Sequence, residues 1–163
     1  MGCHSQRALY IDCIPYKLFI SKLRAYGLSQ SACELFLSYY RDHKQRVKLG
    51  SVKSEWENVY KGAAQGSLMG PQSYNVFTND MLFILEDDVD VYNYADDNTF
   101  VCSGYDYESV KDKVVRNVNN VITWFESNNM MVNPDKFQCI AFGKNENLDS
   151  FKIGNTILFY RIM

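Results

Sequence analysis

The sequence of 163 residues lacks several features that would assign a protein to a class at once. It has no apolar run of about 18 residues, which argues against a membrane-spanning helix. Its five cysteines are odd in number and form no Cys-x-x-Cys pair, so they predict reduced thiols in an intracellular protein rather than a disulfide framework or a zinc site. The N-terminal residues also lack the charged-then-apolar order of a signal peptide.

An excess of positive charge is missing as well. Seventeen Lys and Arg stand against 19 Asp and Glu, which gives a formal net charge of −2 and argues, from composition alone, against strong autonomous binding of nucleic acid. Hydrophobic residues make up 47% of the chain, enough to build a core. No linker, repeat or low-complexity segment is visible, so we expect residues 1–163 to form a single domain.

Local patterns in the first half predict two helices, a hairpin and a third helix. Pro15 begins and Gly27 ends the first helix, and Ser29 caps the second. The hairpin spans residues 44–60 around a Gly-Ser turn, and Pro71 opens the third helix. The apolar face predicted for the second helix comprises Ala32, Leu35, Phe36, Tyr39 and Tyr40.

The second half predicts a hairpin over residues 90–102, a long amphipathic helix over 106–128, and two later strands. The helix ends at two asparagines and strands follow at 137–143 and 151–160, the last broken at Gly154. This order predicts an α+β fold, an antiparallel sheet with helices packed on one face. The helix residues predicted to face the sheet are Val114, Val118, Val121 and Phe125.

Two adjacent carboxylates, Asp96 and Asp97, fall at the tip of the second predicted hairpin. Like charges held side by side cost free energy unless a cation or water stabilises them. Carboxylate oxygens on a tight turn suit Mg²⁺, which binds one or two carboxylates together with substrate phosphates. A solvated, charged hairpin tip explains an isolated Asp-Asp pair equally simply, and the pair alone leaves both explanations open.

Three sequence blocks, one of which contains Asp96 and Asp97, follow one another in a characteristic order and spacing. They are AQGSLMGPQSYNVFTNDM, YNYADDNTF and WFESNNMMVNPDKFQCIAFG. Together they resemble the reverse transcriptase domain of non-LTR, LINE-type retroelements, over roughly residues 11–157. The resemblance implies a polymerase palm and RNA-directed DNA polymerisation, in which a primer 3′-hydroxyl attacks the α-phosphate of a deoxynucleotide and pyrophosphate leaves.

The resemblance also implies roles for single residues. Its expected cofactor is Mg²⁺, with Mn²⁺ as a possible substitute, and its expected partners are an RNA template, a DNA primer and a deoxynucleotide, with no membrane. Asp96 and Asp97 would bind the metal and act in catalysis, and Lys136 would protonate the departing pyrophosphate. The residues that would contact the template and the incoming nucleotide are Gln65, Gly66, Tyr94 and Ala95.

A basic stretch in the first predicted hairpin has two interpretations. Lys44, Arg46 and Lys48 alternate along one strand and would share a face. That face would contact phosphates along a template strand, or it would be an ordinary solvated surface.

The sequence departs from the family pattern at one important position. The family's first metal-binding carboxylate lies nine residues before a proline, which places Gln6 there, while Asp12 matches a second aspartate six residues further on. An amide carries no charge, so we expect metal binding to be weak.

The chain is therefore expected to be a palm fragment without most of the fingers and thumb segments, and a degenerate, inactive copy. The alternative is a palm remnant or binding module without polymerase activity. A nucleotide cyclase or another palm-like enzyme shares the paired carboxylates but does not explain QGSLMGP.

Overall fold

A computed structural model of the chain describes residues 14–62, 66–94, 97–133 and 137–142 in full, and the backbone of residues 151–153, 156–158 and 160–162. The chain divides into two compact units, Met1–Asn79 and Asp80–Met163, called here the N-terminal and C-terminal units. Within the described residues, no helix combines the length and the apolar character that crossing a membrane requires.

Helix α1 (Tyr16–Ala25) opens the described part of the N-terminal unit with Pro15 at its N-cap. It ends as predicted at Gly27, whose φ of 88° is a conformation that glycine adopts without steric cost. The amides of Gly27 and Leu28 bond back to the carbonyls of Arg24 and Leu23, at 3.0 and 3.1 Å. This pair of bonds is a Schellman cap, which satisfies carbonyls that the helix leaves unpaired.

Helix α2 (Gln30–Tyr40) follows, and the Ser29 hydroxyl accepts a 3.3 Å hydrogen bond from the Ala32 amide, as predicted. The predicted apolar face is partly wrong, because Leu35 is 70% exposed. Tyr40 is buried as predicted, and Cys33, which was not predicted, is buried as well. Contact with α1 selects this face: the Phe19 ring packs edge-on against Tyr40, with ring centroids 5.7 Å apart.

The predicted hairpin over residues 44–60 is confirmed, as four short strands that form two successive antiparallel pairs. Strand β1 (Lys44–Gln45) pairs with β4 (Glu57–Asn58), and β2 (Lys48–Leu49) pairs with β3 (Val52–Lys53). Gly50 lies in the turn with a φ of 61°.

Helix α3 (Met69–Thr78) begins two residues before Pro71, where the sequence had placed its start. Proline is accepted there because first-turn amides have no partner within the helix, so its missing N–H costs nothing. The sequence predicted one continuous helix through this stretch, but the α-helix ends at Thr78 and a 3₁₀ helix follows from Asn79 to Ile84.

The C-terminal unit contains the hairpin of β5 (Val89–Tyr94) and β6 (Asp97–Cys102), followed by α4 (Tyr107–Ser127). The Asp106 carboxylate caps α4 by accepting a 2.9 Å hydrogen bond from the Ser109 amide, and this bond is the main reason that the pKa of Asp106 is lowered.

The far end of α4 is capped as predicted. Asn129 adopts a φ of 57°, and the Met130 amide bonds to the Phe125 carbonyl at 2.9 Å. Two of the four predicted core residues of α4, Val121 and Phe125, are buried. Val114 and Val118 are only partly buried, although they too pack against the core.

The remaining strands are β7 (Cys139–Ala141), β8 (Phe151–Ile153), β9 (Thr156–Leu158) and β10 (Tyr160–Ile162). Strands β8 and β9 form a hairpin around the predicted break, and α4 contacts both β6 and β8. Strand β10 pairs in parallel with β7, because the intervening hairpin supplies the connection that parallel strands need. The α+β class is confirmed, with every other strand pairing in the described residues antiparallel.

Candidate functional site

The predicted acidic hairpin is present in the C-terminal unit. Strands β5 and β6 pair antiparallel. Val89 is opposite Cys102 at the base of the hairpin, and Tyr94 is opposite Asp97 at its tip. Asp97 therefore lies at the tip, as the sequence predicts. Ala95 and Asp96, the two residues between the strands, lie outside the described residues.

The register gives this hairpin two different faces. Directly paired residues project from the same side of a ladder. The pairs Val89–Cys102 and Val91–Phe100 form a partly buried side, whereas Asp90 projects with Val101 and lies on the exposed side. Tyr94 and Asp97 share that exposed side, and Tyr94 is 83% exposed. The Asp97 carboxylate is therefore accessible to a ligand from solvent.

A buried asparagine fixes the segment that leads into the hairpin. Asn117 of α4 is 1% exposed, and its side-chain carbonyl accepts a 3.0 Å hydrogen bond from the Glu86 amide. Its side-chain amide donates to the Lys113 carbonyl at 2.9 Å. One side chain thus satisfies a backbone donor in the segment before β5 and a carbonyl of its own helix, which ties the two together.

Two ion pairs reinforce the same junction. Lys113 forms a salt bridge with Asp88 and donates a 3.3 Å hydrogen bond to the Ser103 carbonyl, and Arg116 bonds Glu86 at 3.1 Å. The hydrogen bond from Lys113 lowers the pKa of Asp88, and the same bond raises the pKa of Lys113. The bonds act at the base of the hairpin, so they orient the tip without covering it.

The second predicted site segment is the loop QGSLMGP in the N-terminal unit. Gly66 has a φ of 79°, a conformation that side chains strongly disfavour. A Cβ added at Gly66 would meet no atom of the described residues within 4 Å. Backbone conformation, and not crowding by the described part of the chain, therefore accounts for this glycine.

Two tyrosines of α2 hold the end of this loop. The Tyr39 hydroxyl is hydrogen bonded to the Ser67 hydroxyl, which also accepts a 3.0 Å bond from the Met69 amide at the start of α3. The Tyr40 hydroxyl donates to Ser73 at 2.6 Å. Burial raises the pKa of Tyr40, which keeps the phenol protonated and able to donate.

A buried lysine supports α3 from the other side. Lys22 of α1 is 8% exposed, and its ammonium donates a 3.0 Å hydrogen bond to the Phe77 carbonyl. The same ammonium lies 4.4 Å from the centroid of the Phe77 ring. Carbonyls in the last turn of a helix carry partial negative charge, so this end of α3 is a favourable place for a cation.

The predicted site residues are thus only partly visible. Gly66 is described in the N-terminal unit, and Tyr94 and Asp97 in the C-terminal unit. Gln6, Asp12, Gln65, Ala95, Asp96 and Lys136 lie outside the described residues. Convergence of the two motifs on one site therefore stays a prediction. In the described ranges, no three His, Cys, Asp or Glu side chains gather as a metal site would require.

Sequence reasoning missed the residues that hold the two segments in place. Asn117 was hidden because it falls among the valines of α4, and Tyr39 and Tyr40 were assigned to an apolar face without regard to their hydroxyls. A buried tyrosine usually needs a hydrogen-bond partner, which is the signal that would have found Ser67 of the loop and Ser73 of α3.

Comparison with known proteins supplies the family. The sequence model for "Reverse transcriptase (RNA-dependent DNA polymerase)" matches residues 12–152, which include both the QGSLMGP loop and the acidic hairpin. The chain belongs to the reverse transcriptase family. Reverse transcriptases generally use divalent metal ions, and the family implies an RNA template, a primer and a nucleotide as partners.

A curated relative agrees with the resemblance to non-LTR elements. The chain is similar to the RNA-directed DNA polymerase from mobile element jockey of Drosophila melanogaster, with 25% identity over 111 residues. The similar region covers 64% of this reverse transcriptase chain and 12% of the relative. The chain thus spans a small part of the length of that protein.

Proposed function

We propose that the chain forms the palm of a LINE-type reverse transcriptase, with its metal-binding carboxylates at the tip of the β5–β6 hairpin. The observation that carries this proposal is the register of the hairpin, which puts Asp97 opposite Tyr94 on an exposed face. The family match crosses the boundary between the two units, which supports treating both as parts of one palm domain.

The proposed roles follow the matched motifs. Asp96 and Asp97 bind the divalent cation. Contact with the template and the incoming nucleotide is assigned to Gln65, Gly66, Tyr94 and Ala95. Lys136 protonates the pyrophosphate as it leaves. The chemistry is nucleotidyl transfer to a primer 3′-hydroxyl, where positioning and neutralisation of charge supply most of the catalysis.

The donor set decides how well Mg²⁺ fits. Carboxylate oxygens are the ligands that Mg²⁺ prefers, and Asp97 presents its carboxylate on the exposed side of the hairpin. The cation would neutralise negative charge on the triphosphate. Gln6 stands at the position of the family's first metal-binding carboxylate and offers one neutral amide oxygen. The set of metal ligands is therefore short of one negative charge. We propose weak Mg²⁺ binding, with Mn²⁺ as a substitute.

The same deficit leads us to propose that this copy does not polymerise DNA. Losing one carboxylate ligand of the catalytic metal site costs several kcal/mol of transition-state stabilisation, or ~10²-fold or more in rate. The alternative function, a palm kept as a binding module without chemistry, is favoured by the same residue. In both cases the hairpin and its supports on α4 stay folded.

Primer extension tests the proposal. The purified chain is given an RNA template, a DNA primer and deoxynucleotides, with Mg²⁺ and separately with Mn²⁺. We expect no extension above that of Asp96→Asn, the control for a contaminating polymerase. Robust extension by the unmodified chain that disappears in Asp96→Asn would contradict the inactive assignment and establish the enzyme.

A further inference from the structure

The hairpin over residues 44–58 contains a bulge that its sequence pattern does not show. Gln45 pairs with Glu57, whereas Lys48 pairs with Lys53. Two residues on the first strand therefore face three on the second, 54–56. The extra residue bends the ladder, and bulges of this kind often reorient a side chain. Here the bulged segment carries Trp56.

Trp56 is directed to the basic strand. The Arg46 guanidinium lies 4.3 Å from the centroid of its ring, and the ring is 55% exposed. Stacking of this kind holds both side chains in a fixed orientation while leaving part of each accessible. Arg46 keeps its hydrogen-bond donors, and Trp56 keeps an exposed aromatic surface.

The outer half of the hairpin then has two opposite exposed faces. Lys48 and Lys53 are directly paired and share one face, which Arg46 also occupies because it alternates with Lys48. We call Arg46, Lys48, Lys53 and Trp56 the cationic face. The opposite face carries the exposed apolar residues Val47, Leu49 and Val52.

The cationic face is electrostatically unusual. Like charges directly opposite each other in a ladder destabilise it, yet Lys48 and Lys53 occupy that arrangement. Within the described part of the chain, neither lysine has an acidic partner at salt-bridge distance. Glu57 pairs with Gln45 and projects from the other side, and Glu55 lies in the bulge between Lys53 and Trp56. An anion bound between the lysines would remove the repulsion.

The surrounding charge favours a large anion. The N-terminal unit contains ten Lys and Arg against five Asp and Glu, a formal charge of +5 within a chain of −2. Basic side chains that alternate with an exposed aromatic ring suit single-stranded nucleic acid, because the cations track the phosphates and the ring stacks on a base.

We infer that the cationic face binds the single-stranded RNA template, with phosphates at Lys48 and Lys53 and a base against the Trp56–Arg46 stack. The choice of RNA rests on the proposed function, because a reverse transcriptase copies RNA. Binding itself needs neither a metal nor a nucleotide, so it is measurable whether or not the acidic hairpin is active.

The test is the affinity of the full chain for a fluorescent single-stranded RNA, measured in EDTA at several salt concentrations. The variant is Lys48→Ala with Lys53→Ala. Its matched control is Lys17→Ala with Arg24→Ala, which removes two exposed charges from α1 in the same unit. Thermal melting checks that both variants are folded.

Loss of two phosphate contacts is expected to reduce the slope of log affinity against log salt by about 1.4, since each contact to a single strand contributes about 0.7. The control should retain the slope. Trp56→Ala should weaken binding about fivefold or more at every salt concentration, with the slope unchanged, because stacking is not ionic.

Three results would overturn the inference: an unchanged slope in the lysine variant, an equal loss in the control, or no effect of Trp56→Ala. A fourth would be a larger loss from Val47→Ser with Leu49→Ser, which would assign binding to the apolar face. Any of these results would reject this inference and leave the proposed palm and its metal site in place, because metal binding at the tip of the β5–β6 hairpin is measured separately with Mn²⁺.

Discussion

The two units of the chain carry opposite charge. The N-terminal unit has ten basic and five acidic residues, whereas the C-terminal unit has seven basic and 14 acidic ones, so their formal charges are +5 and −7. The net charge of −2 averages over this difference. The net charge of the whole chain therefore does not exclude nucleic-acid binding by the N-terminal unit. The charge of each unit predicts its binding partners better than the charge of the chain.

The units also differ in how they hold their candidate site segments. In the N-terminal unit, tyrosine hydroxyls bind serines of the QGSLMGP loop and of α3, and a buried lysine supports α3. In the C-terminal unit, two ion pairs and Asn117 of α4 hold the segment before β5. Mutations and pH should therefore affect the two units differently, and each unit has one tryptophan, Trp56 or Trp124, to report on it.

The largest effect is expected from the core of the C-terminal unit. Phe125 is 4% exposed, so Phe125→Ala leaves a cavity and should lower the free energy of unfolding by ~3–5 kcal/mol. Urea unfolding followed by Trp124 fluorescence measures it. Phe83→Ala, at an exposed site, is the control and should change stability by less than about 0.5 kcal/mol. Equal effects in the two variants would contradict the packing of α4.

An intermediate effect is expected from the asparagine that ties α4 to the hairpin. Asn117→Ala removes the acceptor of the Glu86 amide and should cost about 1–3 kcal/mol. Asn119→Ala, two positions along the same helix, should change little. Hydrogen exchange at the Glu86 amide gives a local measure, since loss of its acceptor should speed exchange there. Unchanged exchange in Asn117→Ala would show that the bond does not protect this segment.

A smaller effect is expected in the N-terminal unit. Tyr40→Phe removes the donor to Ser73 and should cost about 0.5–1.5 kcal/mol, because a single neutral hydrogen bond is lost from a buried site. Trp56 fluorescence during urea unfolding measures the loss. The fully exposed Tyr105 supplies the control, and Tyr105→Phe should leave stability unchanged. A loss no larger than that of the control would show that Tyr40 contributes through its ring alone.

The smallest effect is expected from acid, and only in the C-terminal unit. The pKa of Asp88 is lowered by Lys113, so its contribution to stability is complete above the ordinary aspartate value of 3.8 and is lost as pH falls through the folded value. Below pH 4, Trp124 should therefore report a loss of stability that Asp88→Asn reduces. An identical loss of stability at low pH in Asp88→Asn would show that this ion pair does not cause the acid sensitivity.

Much of the fold was predictable because its signals are local. Pro15, Gly27, Ser29 and the asparagines after α4 act through the bonds and dihedral angles of their own neighbours, and each cap was found where the sequence placed it. The exposed face of α2 was misjudged at Leu35, since burial depends on α1, which is not local. The start of α3 was misjudged because proline is compatible with any residue of the first turn.

The candidate site was predictable to a similar extent. The position of Asp97 at a hairpin tip follows from alternation and a short connection, both of which are visible in the sequence. The bulge at residues 54–56 is not, because it depends on pairings across the ladder. Lys53 was overlooked although its position was predictable, because a two-residue Gly-Ser turn at 50–51 pairs it directly with Lys48.

The most direct test of the central claim is a Mn²⁺ titration followed by NMR of the backbone amides. Paramagnetic broadening should centre on the tip at Tyr94 and Asp97, and Asp97→Asn should weaken Mn²⁺ binding by about tenfold through loss of one charge-assisted contact. Asp90→Asn removes the same charge from the same face, about 13 Å along the strand from Tyr94, and should have little effect. Broadening centred elsewhere, or equal losses in Asp97→Asn and Asp90→Asn, would contradict a metal site at the tip of this hairpin.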